Sequence, residues 1–174
     1  MNAGFNNPNW TINNQENKNS VERFLSNVQL DLRITEWLSI ISRTGIDYYQ
    51  SRTSQYFKPG TVGSTFGQGY FTDGITNNRV FNTDLIARSN FDVGDEINLS
   101  ITLGANLNDR KYVRIGGNIR DFILPIDLQD FSNAQPENTN IEDFDRHMRT
   151  AATYFSGNIG LFDMLFINSN IRVE

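Results

Sequence analysis

Hydrophobic and polar residues alternate along several stretches of the chain, and these stretches come in pairs. The first pair covers residues 21–34 and 37–50 and turns at Thr35 and Glu36. Side chains alternate faces along a β-strand, so each stretch predicts a strand with one apolar and one polar face. Two such strands joined by a short turn form a β-hairpin. The apolar face would carry Val28, Leu30, Leu32, Ile34, Leu38, Ile40, Ile46 and Tyr48.

Two further hairpins are predicted in the same way. The second covers residues 79–112, with a turn at residues 92–95, and its return strand alternates without a fault from Ile97 to Leu107. The third covers residues 147–174 and turns at Phe162 and Asp163. The chain stops at Glu174 within this last predicted strand, which we interpret as a truncated hairpin.

Three polar segments lie between the hairpins. Residues 1–20 are rich in Asn and lack periodicity, residues 51–78 contain Pro59 and several glycines, and residues 113–146 contain Pro125 and Pro136. All three are predicted to be loops. The sequence therefore predicts an all-β chain of antiparallel up-and-down strands, with short turns at one end and long loops at the other.

The apolar rows are long and uncharged in the middle. The row from Ile97 to Leu107 matches the roughly 9–11 residues that a tilted strand needs to cross a bilayer. Charged residues occur only at the ends or turns of these rows: Glu22, Glu36, Arg79, Asp95, Asp109, Lys111, Arg149 and Asp163. Aromatic residues gather at the strand ends, as in the interfacial belts of membrane barrels. This pattern favours part of a transmembrane β-barrel.

A soluble β-sandwich is the alternative, with the apolar rows turned inward and glycans recognised by aromatic loops. It explains the uncharged rows equally well, but strand length and loop asymmetry less well. The net charge of −5 argues against a nucleic-acid partner. The absence of Cys excludes a disulfide framework, and no apolar run is long enough for a spanning helix. The first residues have no basic and apolar regions, so no signal peptide is expected.

Several segments resemble the barrel of SusC/RagA-type TonB-linked outer-membrane proteins. They are residues 7–19 (NPNWTINNQENKN), 23–28 (RFLSNV), 34–38 (ITEWL), 69–71 (GYF), 82–86 (NTDLI) and 103–110 (LGANLNDR). Each segment is weak alone, but the resemblance covers essentially the whole chain in order, which makes the set specific. The resemblance implies a TonB-dependent receptor in the outer membrane of Bacteroidetes that imports oligosaccharides or peptides.

The resemblance also implies partners and missing parts. Such importers receive their substrate from a SusD-like surface lipoprotein and take energy from the TonB complex. About 22 strands close around a plug in such transporters, whereas about six are predicted here. The chain is therefore expected to be a barrel fragment without the signal sequence, the plug, the TonB-contacting segment or the remaining strands.

No catalytic site, metal site or cofactor is predicted. His147 is the only histidine, so zinc sites built from several His or Cys residues cannot form. The acidic residues between 121 and 145 match no calcium-binding loop spacing. Aromatic rings stack on sugars, and neighbouring amides can bond to hydroxyl groups. The candidate substrate-binding residues are therefore Trp10, Tyr56, Phe57, Phe66, Tyr70 and Phe71, although these rings could instead pack the loops together.

Overall fold

The computed structural model describes residues 4–62, 67–94, 96–162 and 164–174. A short helix, α1 (Pro8–Asn14), precedes six strands. The strands are β1 (Gln15–Arg33), β2 (Leu38–Phe57), β3 (Tyr70–Val93), β4 (Ile97–Arg120), β5 (Thr139–Leu161) and β6 (Leu165–Val173). Two 3-10 turns, Phe131–Asn133 and Pro136–Asn138, lie between β4 and β5.

The strands form one sheet in the order β1-β2-β3-β4-β5-β6. Each strand therefore pairs with its neighbours in the chain, and the fold is all-β, antiparallel and up-and-down, as predicted. The register of the last pair places Phe155 opposite Ile171 and Ile159 opposite Ile167. Same-face apolar pairs of this kind are what the alternation predicts.

The three tight connections lie where the sequence places them. In the first, the Thr35 hydroxyl oxygen accepts a hydrogen bond of 3.0 Å from the Leu38 backbone N–H. In the second, Gly94 adopts a φ of 68°, a conformation that costs glycine little. In the third, Phe162 has a φ of 54°. The predicted turn residues Asp95 and Asp163 lie outside the described residues.

The strands extend well beyond the predicted hairpins. The segment predicted as residues 1–20 contains α1 and the start of β1 rather than a continuous loop. β2 extends to Phe57 and β3 begins at Tyr70, while β4 extends to Arg120 and β5 begins at Thr139. Asn7 caps α1 by accepting a hydrogen bond from the Asn9 N–H, and Pro8 opens the helix. Most of the added strand segments carry polar residues on both faces, whereas residues 113–119 of β4 keep the alternation of apolar and polar residues.

The chain divides into two compact units. Unit 1 contains Met1–Arg23, Tyr49–Asn78 and Tyr112–Arg146, and unit 2 contains Phe24–Tyr48, Arg79–Lys111 and His147–Glu174. Unit 1 has an apolar core of Tyr56, Phe71, Ile119 and Ala134, against which Phe122 and Phe131 pack. Its connection after β4 thus covers one face of the strands.

In unit 2 the apolar rows are largely uncovered. On the interior strand β4, Leu103 is 54% exposed and Leu107 is 41% exposed. The described residues form a single sheet, so they contain no second sheet that could cover this face, as a sandwich would require. The described residues also include no helix of the length and hydrophobicity needed to cross a membrane.

The opposite face of unit 2 is a network of polar side chains. The Asn106 amide donates to the Asn82 side-chain oxygen at 3.0 Å and to an Asp84 carboxylate oxygen at 2.8 Å. Across the first hairpin, the Arg43 guanidinium donates to the Gln29 side-chain oxygen at 2.9 Å. One face of the same strands is therefore apolar and exposed, while the other is polar and internally hydrogen-bonded.

Candidate substrate site

A polar cavity of about 440 Å³ lies in unit 1, on β2, β3 and β4 with one residue of β5. Its volume falls within the range of small-molecule sites, roughly 300–1,000 Å³. Most of the lining side chains are hydroxyls, amides and charged groups, with glycines between them. The lining residues are Thr53, Gln55, Tyr70, Thr72, Asp73, Gly74, Thr76, Arg114, Gly116, Gly117, Asn118 and Glu142.

Alternation along the strands explains which side chains reach this cavity. Thr53 and Gln55 on β2 have the same parity as Arg43, which belongs to the polar face. Thr72 and Thr76 on β3 share the parity of Asn82. Alternation therefore directs the side chains of each set to one face of its strand, where they line the cavity.

Two glycines bring β3 and β4 unusually close at the cavity. A Cβ atom added to Gly116 would lie 2.7 Å from the Gly74 Cα and 2.8 Å from the Asp73 carbonyl oxygen. Both contacts are with backbone, which cannot rotate away. The absence of side chains at Gly74 and Gly116 also exposes peptide groups to a ligand, which a larger residue would cover.

An ion pair places both signs of charge at the cavity. The Arg114 guanidinium lies 3.3 Å from the Glu142 carboxylate, and both side chains are about half exposed. Nearby, the Thr72 hydroxyl donates to the Gly117 carbonyl oxygen at 2.8 Å. The site can thus offer donors, acceptors and both charges, which suits a peptide backbone or a hydroxyl-rich sugar.

Two of the predicted aromatic residues belong to this site. Tyr70 lines the cavity. The Phe57 ring stacks on the Tyr70 ring, and their centroids are 5.7 Å apart. Both side chains are only half-buried. These rings therefore lie at or beside the cavity, and their binding of a sugar or peptide stays a prediction.

The other predicted aromatic residues are placed differently. Tyr56 and Phe71 are 3% and 6% exposed in the unit 1 core, so their rings pack the loops together. Trp10 lies on α1, and its ring packs against Gly60. A Cβ atom added to Gly60 would lie 3.3 Å from two carbons of that ring. Phe66 lies outside the described residues. Tyr56 and Phe71 directly adjoin cavity-lining residues in sequence, and alternation therefore turns them to the opposite face.

The environment of Tyr56 leads to a pH-dependence. Burial raises its pKa from 10.0 to about 12, and the Asp127 carboxylate adds to the increase. The hydroxyl is buried without a partner that meets hydrogen-bond geometry. An unfolded Tyr ionises near pH 10, so the unfolded state binds fewer protons than the folded state between pH 10 and 12. The stabilising contribution is therefore complete below pH 10 and is lost as the pH rises towards 12.

We expect denaturant midpoints to fall between pH 10 and 12, and to fall less in a Tyr56→Phe variant. The same variant should be as stable as the wild type, or more stable, at neutral pH because it removes an unpaired buried hydroxyl. Tyr70→Phe is the matched control, since this ring is half-buried at the cavity. An unchanged midpoint in wild-type protein over this pH range would contradict the burial of the Tyr56 hydroxyl.

Sequence reasoning missed most of the polar lining, including Thr53, Gln55, Thr72 and Asn118. All four lie in the segments 51–78 and 113–146, which were predicted to be loops. The signal that could have found them is the polar alternation in Thr53 and Gln55 and in Thr72, Gly74 and Thr76. His147 was predicted to lie at the entry of a strand, but it lies within β5, which begins at Thr139, and its Nε2 is 2.8 Å from an Asp109 carboxylate oxygen.

No group of three His, Cys, Asp or Glu side chains that could hold a metal ion occurs among residues 4–62, 67–94, 96–162 and 164–174. The acidic side chains between residues 121 and 145 are therefore not gathered into such a group within the described part of the chain.

Solved structures of peptide importers share this fold. The chain superposes on a structure of the RagAB peptide transporter with a TM-score of 0.76 and 17% identity, covering 95% of this chain and 18% of that one. It matches the RagAB peptide importer in the "closed-closed" state with a TM-score of 0.76, 15% identity and coverage of 92% and 18%. For the "open-open" state of the importer, the TM-score is 0.75 and the identity is 15%, and the match covers 95% of this chain and 18% of that one.

These similarities have a limited span. The chain covers about a fifth of the length of the importer chains that it resembles. No family model matches the sequence. No curated protein matches it either. The similarity of fold therefore rests on the arrangement of the strands.

Proposed function

We propose that this chain is a segment of an outer-membrane β-barrel importer of the SusC/RagA type. The observation that carries the proposal is the exposed apolar row on a single sheet whose other face is polar and hydrogen-bonded. A strand that faces lipid on one side and an aqueous lumen on the other needs this distribution. The fold shared with the RagAB peptide importer supports the same conclusion.

The unit 2 strands would cross the bilayer, and the unit 1 cavity would lie in water and contact the substrate. We propose that the substrate is a peptide or an oligosaccharide, with a peptide favoured. The cavity places an Arg and a Glu 3.3 Å apart beside exposed peptide groups, and the structural neighbours are peptide importers. A SusD-like surface lipoprotein would deliver the substrate, and TonB would supply energy through other parts of the protein.

The soluble glycan-binding sandwich is the weaker candidate. It requires a second sheet to bury the apolar rows, and the described residues form only one. The aromatic residues that it would use are also divided, because Tyr56 and Phe71 are buried in the core. Residues 4–62, 67–94, 96–162 and 164–174 therefore favour the barrel.

Cysteine accessibility tests the proposed orientation directly. This chain has no native Cys, so Leu103→Cys and Thr102→Cys can each be introduced into the protein that carries it and labelled in native membranes. We expect Cys at 103 to react with a lipid-soluble maleimide and to resist a charged one. Cys at 102 should react with the charged reagent, because adjacent strand residues point to opposite faces.

Two results would contradict the proposal. Rapid reaction of Cys at 103 with the charged maleimide would place the apolar row in water. Failure of both reagents at 103 in folded protein would place it in a protein interior, as in a sandwich.

A further inference from the structure

Four charged or ionisable side chains meet at one end of the exposed apolar rows in unit 2. The Asp109 carboxylate accepts a 2.6 Å hydrogen bond from the Arg149 guanidinium and lies 2.8 Å from the His147 ring nitrogen. The Arg79 guanidinium is 3.6 Å from its other oxygen. We call these four residues the basic cluster.

The basic cluster presents positive charge outward. The Asp109 side chain is only 13% exposed, whereas those of Arg149 and Arg79 are 70% and 50% exposed. Two guanidinium groups against one carboxylate leave a positive excess, and a protonated His147 would increase it. Each guanidinium has five N–H donors, so donors remain after the contacts with Asp109. The next residues of the same parity on β4 and β5, Lys111 and Asp145, have opposite charges that cancel.

The cluster borders the apolar face without interruption. Leu107 and Ala151 occupy the next same-face positions after Asp109 and Arg149, and Phe81 follows Arg79 in the same way. The change from guanidinium groups to aliphatic side chains therefore takes two residues, roughly 7 Å along each strand. Such a boundary is where lipid headgroups meet acyl chains on a membrane protein.

A trough begins at this boundary. It has a volume of about 630 Å³, and its walls include Ser42, Thr83, Ala105, Leu107, Ala151 and Val173. Small side chains at most of these positions leave space between the larger aliphatic groups of the apolar face. The trough and the basic cluster share strands β3, β4 and β5.

We propose that the basic cluster and the trough together form a site for an anionic membrane lipid. The headgroup phosphate would accept hydrogen bonds from Arg149 and Arg79, with His147 beside them, and an acyl chain would fill the trough. Arginine binds phosphate through paired N–H donors. The inference rests on the proposed membrane location, because only there would a lipid meet this face of the sheet. The cluster would complement the headgroup of the lipid, and the trough would complement its acyl chain.

The test uses the protein that carries this chain, purified in neutral detergent. Its thermal midpoint is measured with added phosphatidylglycerol, phosphatidylcholine or inorganic phosphate, since a ligand that binds only the folded state raises the midpoint. We expect phosphatidylglycerol to raise the thermal midpoint more than phosphatidylcholine does. Inorganic phosphate alone should raise the midpoint less than phosphatidylglycerol does. Arg79→Gln combined with Arg149→Gln should weaken the apparent affinity for phosphatidylglycerol at least tenfold.

Arg110→Gln is the matched control. Arg110 adjoins Asp109 in sequence, points to the opposite face and donates to the Asn108 side chain at 2.7 Å, so its loss should leave lipid affinity unchanged. Ala105→Phe should fill the trough and lower the affinity for phosphatidylglycerol while Arg79 and Arg149 remain. Folding of each variant is confirmed by the heat-dependent gel mobility of folded barrels.

The proposed site would be overturned if both lipids acted equally, if phosphate alone reproduced the effect, or if Arg110→Gln were as damaging as the double variant. Failure of the membrane proposal is distinguishable from these outcomes. It would appear in the maleimide pattern at positions 102 and 103, whereas a missing lipid site would leave that pattern intact.

Discussion

Replacing Leu103 with Arg is expected to reduce the amount of assembled protein in the membrane and to destabilise what remains by about 2–4 kcal/mol. Leu103 lies near the middle of the uncharged row on β4, and its side chain is 54% exposed. If that exposed surface faces lipid, the new guanidinium must enter the hydrocarbon layer. Heat-dependent gel mobility and denaturant unfolding in lipid vesicles would measure both effects.

Because Leu103 is exposed, this substitution distinguishes a lipid-facing row from the water-exposed surface of a soluble protein. In a soluble protein, a change at so exposed a position usually alters the free energy of unfolding by less than about 0.5 kcal/mol. Thr102→Arg is the control, because it places the same group one residue away on the polar face. A Leu103→Arg protein that assembles and unfolds like the Thr102→Arg protein would show that the row does not face lipid.

The alternation of apolar residues was sufficient to predict the sheet of unit 2. Rows such as the one from Ile97 to Leu107 place aliphatic groups on one face only, and strand pairing follows once each turn is short. The three tight turns therefore lie where the sequence places them, and the neighbours in the sheet are neighbours in the chain.

The cavity in unit 1 was harder to predict because several of its strand segments carry polar residues on both faces. Around Thr53 and Thr72, no apolar row distinguishes a strand from a polar loop, and hydrogen bonds to neighbouring strands decide the structure. Once β2 and β3 are extended through these segments, parity separates Tyr70, which lines the cavity, from Tyr56 and Phe71, which enter the core.

The basic cluster shows a different limit of prediction from sequence. The sequence places Arg79, Asp109 and Arg149 at the ends of apolar rows, but it does not give the register between strands that are far apart in the chain. Asp109 and Arg149 are separated by 40 residues and meet at 2.6 Å only because β4 and β5 pair. Their shared position was predictable, whereas their mutual contacts required the structure.

Replacing Gly116 with Val is expected to destabilise unit 1 by about 2–4 kcal/mol and to abolish the peptide binding that we propose for the cavity. The first carbon of the new side chain would lie within 2.8 Å of both the Gly74 Cα and the Asp73 carbonyl oxygen. Relief of the clash requires β3 and β4 to separate, which combines the cost of overpacking with lost backbone hydrogen bonds. Calorimetric titration with peptides, alongside denaturant unfolding, would measure the two losses.

Gly74→Ala is the control within the same pair of strands. A Cβ atom at Gly74 would lie 3.5 Å from both the Gly116 Cα and the Ile115 carbonyl oxygen, which is an ordinary contact distance. This variant should therefore fold with near-normal stability and lose at most part of its affinity, because a methyl group covers some of the exposed backbone. If Gly116→Val bound peptide as tightly as Gly74→Ala, the close approach of β3 and β4 would not shape the substrate site.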